Sequence, residues 1–289
     1  MRRLILCTDS CSDLSAEQVG SMGIHVIPLS LEMRGETFFH HPDERELKVD
    51  AFYDALRDKV VATTSLINTA RFIAFFEPFL KEGSDILYIG FSSALSGTFQ
   101  SSVLAAQELK ERYPEATIRT VDSLCASAGL GLLVMKAWHK TQEGATIDEV
   151  SDHVEKVKGK ITHLFTVAEL GTLKRGGRLS NSAAFVGTLL KVKPILHVSD
   201  EGKLVPLIKV RGRKASLQKM VDLIKEHLKD PEQTMIIAHG DSPDDAKEVG
   251  AMVKEATGVK EIIYNTIGPI IGAHSGPDTI AVFFVGDKR

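Results

Sequence analysis

Cysteine is scarce. Cys7, Cys11 and Cys125 make an odd count with no repeated spacing, which excludes a disulfide framework and suits a reducing compartment. Cys7 and Cys11 bracket a strand end with no histidine pair at zinc spacing, so both read as small core thiols and no metal is expected. Long apolar runs are missing too. After Met1-Arg2-Arg3 only Leu4-Ile5-Leu6-Cys7 is apolar before Thr8-Asp9-Ser10. That is too short for a signal peptide, and no later run approaches the roughly 20 residues of a membrane span. The expectation is a cytoplasmic protein. An excess of one charge is also absent: 35 Lys and Arg stand against 38 Asp and Glu, for a formal charge of -3. Without a global positive field, a nucleic-acid partner is not expected.

What is present is ample core material. The 289 residues are 43% hydrophobic, with 13 Phe, enough for one large or two ordinary domains. In the first half, short apolar runs at residues 4–8, 24–31, 86–91 and 117–121 read as strands. Between and after them, helix-period segments lie near 16–22, 50–59, 70–80, 97–112 and 126–140. This is repeated βα order and predicts a mainly parallel sheet. A polar, helix-like stretch at 147–160 precedes a change of texture. Strands then follow at 163–167, 195–198, 204–210, 235–238, 261–265 and 279–285, with helices at 214–228 and 243–257. Asp200-Glu201-Gly202 between two apolar runs is hairpin chemistry, so antiparallel pairing enters here. The expected fold is α/β in two domains, 1–155 with a mainly parallel sheet and 156–289 with a mixed sheet.

Two nucleotide-like signatures fail on their chemistry. Gly171-Thr172-Leu173-Lys174-Arg175-Gly176-Gly177-Arg178 has the glycine spacing of a phosphate loop but Gly-Arg where Lys-[Ser/Thr] is required. Gly129-Leu130-Gly131 lies inside a helical pattern and reads as close helix packing. No cofactor is implied by either.

The informative segment is Gly90-Phe91-Ser92-Ser93-Ala94-Leu95-Ser96-Gly97-Thr98, between a strand and a helix. Loops at the carboxyl ends of strands face the ligand crevice of open α/β sheets, and hydroxyls with a glycine at a helix start suit an anion. One serine is accounted for as a helix cap. The same run approximates a Gly-x-Ser-x-Gly nucleophile elbow, with Ser92 as nucleophile and His239 or His274 and Asp241 following in plausible order. A serine hydrolase therefore stands as the alternative, although Ala94 replaces the second glycine. Thr63-Thr64-Ser65, between helical segments, and Ile271-Gly272-Ala273-His274-Ser275-Gly276-Pro277 are two further polar clusters, each weak alone.

Together these segments resemble the DegV family of bacterial fatty-acid-binding proteins. The resemblance covers nearly the whole chain. It rests on Thr8-Asp9-Ser10 with Ser12-Asp13-Leu14, Ile27-Pro28-Leu29, Thr64-Ser65 and Ser92-Ser93-Ala94-Leu95-Ser96-Gly97-Thr98. Val121-Asp122-Ser123, Leu173-Lys174-Arg175-Gly176-Gly177-Arg178-Leu179-Ser180, Ile267-Gly268-Pro269 and Gly272-Ala273-His274-Ser275-Gly276-Pro277 complete it. The resemblance implies one long-chain fatty acid, such as hexadecanoate, gripped between two α/β domains. Its carboxylate would be held by Thr64 and Ser96, with Ser65, Ser93, Gly97 and His274 nearby. It also implies a non-catalytic carrier that presents the carboxylate to a separate ATP-dependent fatty acid kinase, which makes acyl phosphate for phospholipid synthesis. A lipid-binding module without a kinase partner is the remaining alternative.

Two departures stand out. Leu66-Ile67-Asn68 replaces the Gln-Pro-Ser usual after Thr-Ser, which touches the wall near the head group. Asp278 follows Pro277 where glycine is usual, adding a charge near His274. Phe72, Phe75, Phe76 and Phe79 share one helix face and read as core before tail pocket. Arg175 and Arg178, in a glycine-rich loop, are placed at the kinase or the transferred phosphate, leaving the carboxylate to neutral donors.

Overall fold

The structure, a computed structural model, describes residues 2–179 and 192–289. Ser180, the last residue of one family-like segment, lies outside the described residues. The chain opens with β1 (Leu4–Asp9), α1 (Ala16–Met22), β2 (His25–Ile27), β3 (Ser30–Met33) and β4 (Glu36–Phe39). Next come α2 (Val49–Arg57), β5 (Ala62–Ser65), α3 (Thr69–Lys81), β6 (Asp85–Gly90), α4 (Thr98–Arg112) and β7 (Ile118–Asp122). After them lie α5 (Ala128–Gln142), α6 (Ile147–Lys158), β8 (Ile161–Thr166), α7 (Leu170–Arg175), β9 (Ile195–Val198) and β10 (Leu204–Ile208). The chain closes with α8 (Arg213–His227), β11 (Thr234–His239), α9 (Pro243–Thr257), β12 (Glu261–Thr266), α10 (Pro269–Ser275) and β13 (Ile280–Val285).

The strands form three sheets. The first, in order β2-β1-β6-β7, is wholly parallel. Its central strands are apolar and buried on both faces, as a helix-covered parallel sheet requires. The largest, β10-β9-β8-β13-β11-β12, is mixed, with β11 and β12 parallel and its other pairs antiparallel. The expected hairpin is there: β9 and β10 pair antiparallel around Gly202, whose φ of +77° only glycine adopts without strain.

The smallest sheet, β4-β3-β5, corrects the sequence reading. The single strand expected over 24–31 is two, because Pro28 lacks the N–H a ladder needs and the chain changes sheet there. Thr64 and Ser65, expected between helices, end β5 and pair with Leu31 and Ser30. Half of the glycine-rich 171–178 segment is helix α7, closed by Gly176. His274, expected in a turn, lies on α10, which starts at Pro269 and ends at Gly276 with φ +80°.

Alternation along the strands of the mixed sheet divides the molecule's interior. Ile280, Val282 and Phe284 of β13 face a core made with α8 and α9, whereas Ala281 and Phe283 face the larger core shared with the parallel sheet. Phe72 and Phe76 are fully buried in that larger core and stack against Tyr88, which bears out the core reading of the α3 face. Gly129 and Gly131 of α5 allow close approach: an added methyl would overlap the His163 ring at one and crowd the Ser12 carbonyl at the other.

Candidate functional site

A cavity of about 210 Å³ lies among the parallel sheet's loops, the three-stranded sheet and the inner face of the mixed sheet. Its walls are largely apolar, with Phe91, Leu95, Phe165, Leu173, Ile270 and Phe283 among them. At about 10–15 Å³ each, it has room for roughly 14–21 waters. Cys11, His163 and Phe283 mark a buried end, whereas Ser65, Leu66 and Gly97 are exposed and mark the end at the surface.

The surface end is polar. Thr64, at the end of β5, meets His274 of α10, with Thr64 Oγ1 and His274 Nε2 2.8 Å apart. Burial, with Arg178 nearby, pushes His274 down to about 4, so its imidazole is neutral at pH 7. Its Nδ1 is buried and has no partner among the described residues. Gly176 covers it so closely that any side chain there would collide with the ring. With its proton on Nε2, the imidazole donates to Thr64 and frees the Thr64 hydroxyl hydrogen for the cavity.

Ser96 sits where α4 begins. Its hydroxyl accepts from the Thr98 N–H at 3.2 Å and lies 3.0 Å from Thr98 Oγ1, which also accepts from the Ile67 N–H. Ser96 stands just before the Gly97 cap position, which has no side-chain cap bond, so its hydroxyl both lines the cavity and accepts from the first N–H of the helix. When Thr98 donates to Ser96, the Ser96 hydrogen is free to face an acceptor. Arg178, which follows α7, lines the cavity and is tied by its Nε to the Leu95 carbonyl at 3.2 Å. The cavity wall therefore carries a cation, Arg178, that the sequence reading placed at a kinase or a transferred phosphate.

The other expected residues divide. Ser65 and Gly97 line the cavity mouth. Ser93 is exposed, is not part of the lining, and gives its backbone N–H to Asp122. Arg175 is exposed and donates to Thr172 Oγ1, away from the cavity wall. Leu66 lines the mouth, Ile67 is buried and Asn68 caps α3, so the departure at 66–68 keeps the local architecture. Asp278 pairs with Arg57 at 2.9 Å, as does Asp241, so its charge is directed away from His274.

The hydrolase constellation is not assembled. Ser92 is fully buried and donates to the Gly202 carbonyl at 2.8 Å, joining the β6–α4 loop to the β9–β10 hairpin. His239 Nδ1 accepts from the Ser242 N–H, Asp241 binds Arg57, and His274 binds Thr64.

Sequence reasoning missed the buried end. His163 lies there with both nitrogens on backbone groups, Nδ1 near the Ile161 carbonyl at 2.8 Å and Nε2 accepting from Ala126. Burial first, and Arg289 second, push it down to about 3, so it is a neutral wall residue. Cys11 lines the same end, and burial pushes its thiol well up, so it behaves as an apolar group. The period-2 pattern of β8 and β13 was the available signal, since it puts His163, Phe165 and Phe283 on one face.

Fold and cavity define a class: an α/β protein with a parallel and a mixed sheet around a deep apolar cavity whose mouth bears hydroxyls, a neutral histidine and an arginine. The chain belongs to the DegV family, whose model, described as an uncharacterised protein of the DegV family, matches residues 3–287. A DegV domain-containing protein of Clostridium perfringens is 42% identical over 290 residues, covering 100% of this chain and 99% of that protein. Among solved structures, a fatty-acid-binding DegV family protein from Thermus thermophilus superposes with a TM-score of 0.86 at 29% identity, covering 97% and 98% of the two chains. Another from Streptococcus agalactiae gives 0.87 at 28% identity, with both chains covered in full.

Proposed function

We propose that this protein binds one long-chain fatty acid, tail inward, with the carboxylate at Thr64, Ser96, His274 and Arg178. The observation that carries the reading is the lining of the cavity, largely apolar side chains together with Thr64, Ser96, His274 and Arg178 beside the exposed Ser65, Leu66 and Gly97. Relatives of the same fold bind fatty acids, and the match to their chains is nearly complete. The largely apolar lining suits a long acyl tail such as that of hexadecanoate. Each buried methylene contributes about 0.8 kcal/mol, so such a tail contributes on the order of ten before ordering costs.

The carboxylate decides specificity, because an anion taken from water without donors is penalised by several kcal/mol. Thr64 and Ser96 each present one hydroxyl hydrogen, and Arg178 supplies charge. The lining comes from both sides of position 155, which supports reading 1–155 and 156–289 as two units that grip the ligand.

Presentation to a kinase follows from the exposed position of the head group. In that step a carboxylate oxygen attacks the γ-phosphorus of ATP held by a separate fatty acid kinase, ADP leaves, and an acyl phosphate forms. This chain supplies no catalytic group; it positions the acid. Arg175, exposed at the end of helix α7, is the residue assigned to the kinase or the transferred phosphate. Titration with hexadecanoic acid and with hexadecanol tests the binding reading: tight acid binding with markedly weaker alcohol binding supports it, and equal binding of both contradicts it. Acyl-phosphate formation on adding a fatty acid kinase and ATP separates a kinase carrier from a lipid-binding module with no such partner.

A further inference from the structure

α5 and α10 both begin at the wall of the acyl cavity. Ser127, at the cap position of α5, is a lining residue, as are Ile267, just before α10, and Ile270, Ile271 and His274 within it. One buried side chain stands behind both helix starts. Asp13 Oδ2 accepts from Ser127 Oγ at 2.5 Å, and Asp13 Oδ1 accepts from the Gly268 N–H at 2.9 Å. Asp13 itself is not part of the cavity lining.

The local backbone sets this carboxylate in place. Asp13 closes the helical turn at residues 10–12 with φ +48°, a left-handed conformation that Asp and Asn adopt more readily than most side chains. Its carbonyl accepts from Asn265 Nδ2 at 2.9 Å, which fixes the peptide on the other side. Burial pushes the carboxyl up to about 7, while the Ser127 and Gly268 bonds pull it down. Gly268 has to be glycine for so close an approach, since a methyl there would overlap the His40 ring and come within 3.1 Å of Asp13 Oδ1.

α10 depends on support of this kind. It has seven residues, too few to hold a helix alone, and Pro269 at its first position has no N–H, so Gly268 carries the last backbone donor before it. Tyr53 donates to the Ile267 carbonyl, and the Ile267 N–H donates to the His239 carbonyl, both at 2.8 Å. Of these three groups holding the α10 start, Asp13 is the one that is also bonded to Ser127. His274 follows Gly268 by six positions, about 9 Å along a helix. At that end its Nε2 meets Thr64 Oγ1 at 2.8 Å. A displacement of about 0.8 Å would end the contact as a hydrogen bond.

We propose that Asp13 is a positioning residue of the head-group site, bracing the starts of α5 and α10 and so holding His274 against Thr64. This role rests on the fatty acid's carboxylate being bound at Thr64 and His274.

A double-mutant cycle on the full chain tests it, with Asp13→Ala and His274→Ala titrated against hexadecanoic acid and hexadecanol at pH 8, where Asp13 is mostly ionised. Asp13→Ala is expected to weaken acid binding about tenfold and alcohol binding much less. In the His274→Ala background the same change is expected to cost under about twofold, because residues that act through one another are not additive. Should Asp13→Ala melt well below the parent, Asp13→Asn takes its place. Asparagine keeps the left-handed preference and an oxygen for the Gly268 N–H but loses the charge that strengthens the bond. A several-fold loss of acid affinity is then expected, again vanishing beside His274→Ala. Unchanged acid affinity, losses shared equally by acid and alcohol, or losses that simply add to that of His274→Ala overturn the positioning role alone. A parent that binds acid and alcohol equally overturns the head-group site and this role with it.

Discussion

Thr64 and His274, 210 positions apart in sequence, meet at 2.8 Å. The contact ties the end of β5 to α10 and sets the direction of the Thr64 hydroxyl. It exists because Gly176 leaves room for the imidazole, and because burial keeps that imidazole uncharged.

Gly176→Ala tests that dependence. Gly176 has φ -70°, a conformation alanine adopts freely, so backbone physics alone predicts little change in stability. The added methyl would nevertheless displace His274. Fatty-acid affinity is expected to fall about tenfold, or about 1.4 kcal/mol, with a modest fall in melting temperature because the His274 ring must shift; unchanged affinity would refute the role given to His274.

Thr64→Val and Ser96→Ala each remove one donor from the carboxylate site proposed above. Each is expected to weaken acid binding by about 1–3 kcal/mol and to leave binding of the matching alcohol far less affected. Equal losses for acid and alcohol would indicate a damaged cavity instead.

Arg178 and Arg175 should separate. Arg178 lines the cavity, so Arg178→Ala is expected to weaken acid binding by at least tenfold, more than alcohol binding. Arg175 is outside the lining, so Arg175→Ala is expected to bind acid normally and to lower acyl-phosphate formation with a kinase. Normal turnover with Arg175→Ala would remove it from the transfer step.

The buried histidines give stability a pH dependence with a definite sign. His274, His40 and His163 are lowered from 6.5 to about 4, 4 and 3, so between these values and 6.5 the unfolded chain binds more protons than the folded one. Their contribution is complete above pH 6.5 and is lost as pH falls toward 4. Asp13, raised by burial to about 7, acts oppositely, losing stability as pH rises from 4 through 7. His274→Gln should therefore show a smaller loss of melting temperature between pH 7 and pH 5 than the parent; an identical loss would show that His274 is not held neutral.

Much of the fold was legible because its elements obey single periodicities. The buried runs at β1 and β6, the amphipathic α3 and the Gly202 hairpin carry their own signals. The three-stranded sheet was not, since β3, β4 and β5 have only four residues each and β5, from beyond α2, joins the local β3–β4 hairpin across a long stretch of sequence. Thr64 and Ser96 were found through the family-like motifs. That Arg178 lines the cavity was not legible, because a glycine-rich basic segment looks solvated in sequence, whereas the structure packs α7 against α10 and ties Arg178 to the Leu95 carbonyl. His163 and Cys11 carried no motif: His163 reaches the cavity through the alternation of β8, and Cys11 through the turn that follows β1.

The central claim is that the cavity holds a fatty acid. Mass spectrometry of an organic extract of the purified, undenatured protein tests it most directly. A long-chain fatty acid at close to one per chain is expected, lost on delipidation with a fall in melting temperature and restored on adding the acid back, since a ligand that binds only the folded state stabilises it by mass action. An extract with no stoichiometric lipid, together with no melting shift on adding any long-chain acid, would contradict the account.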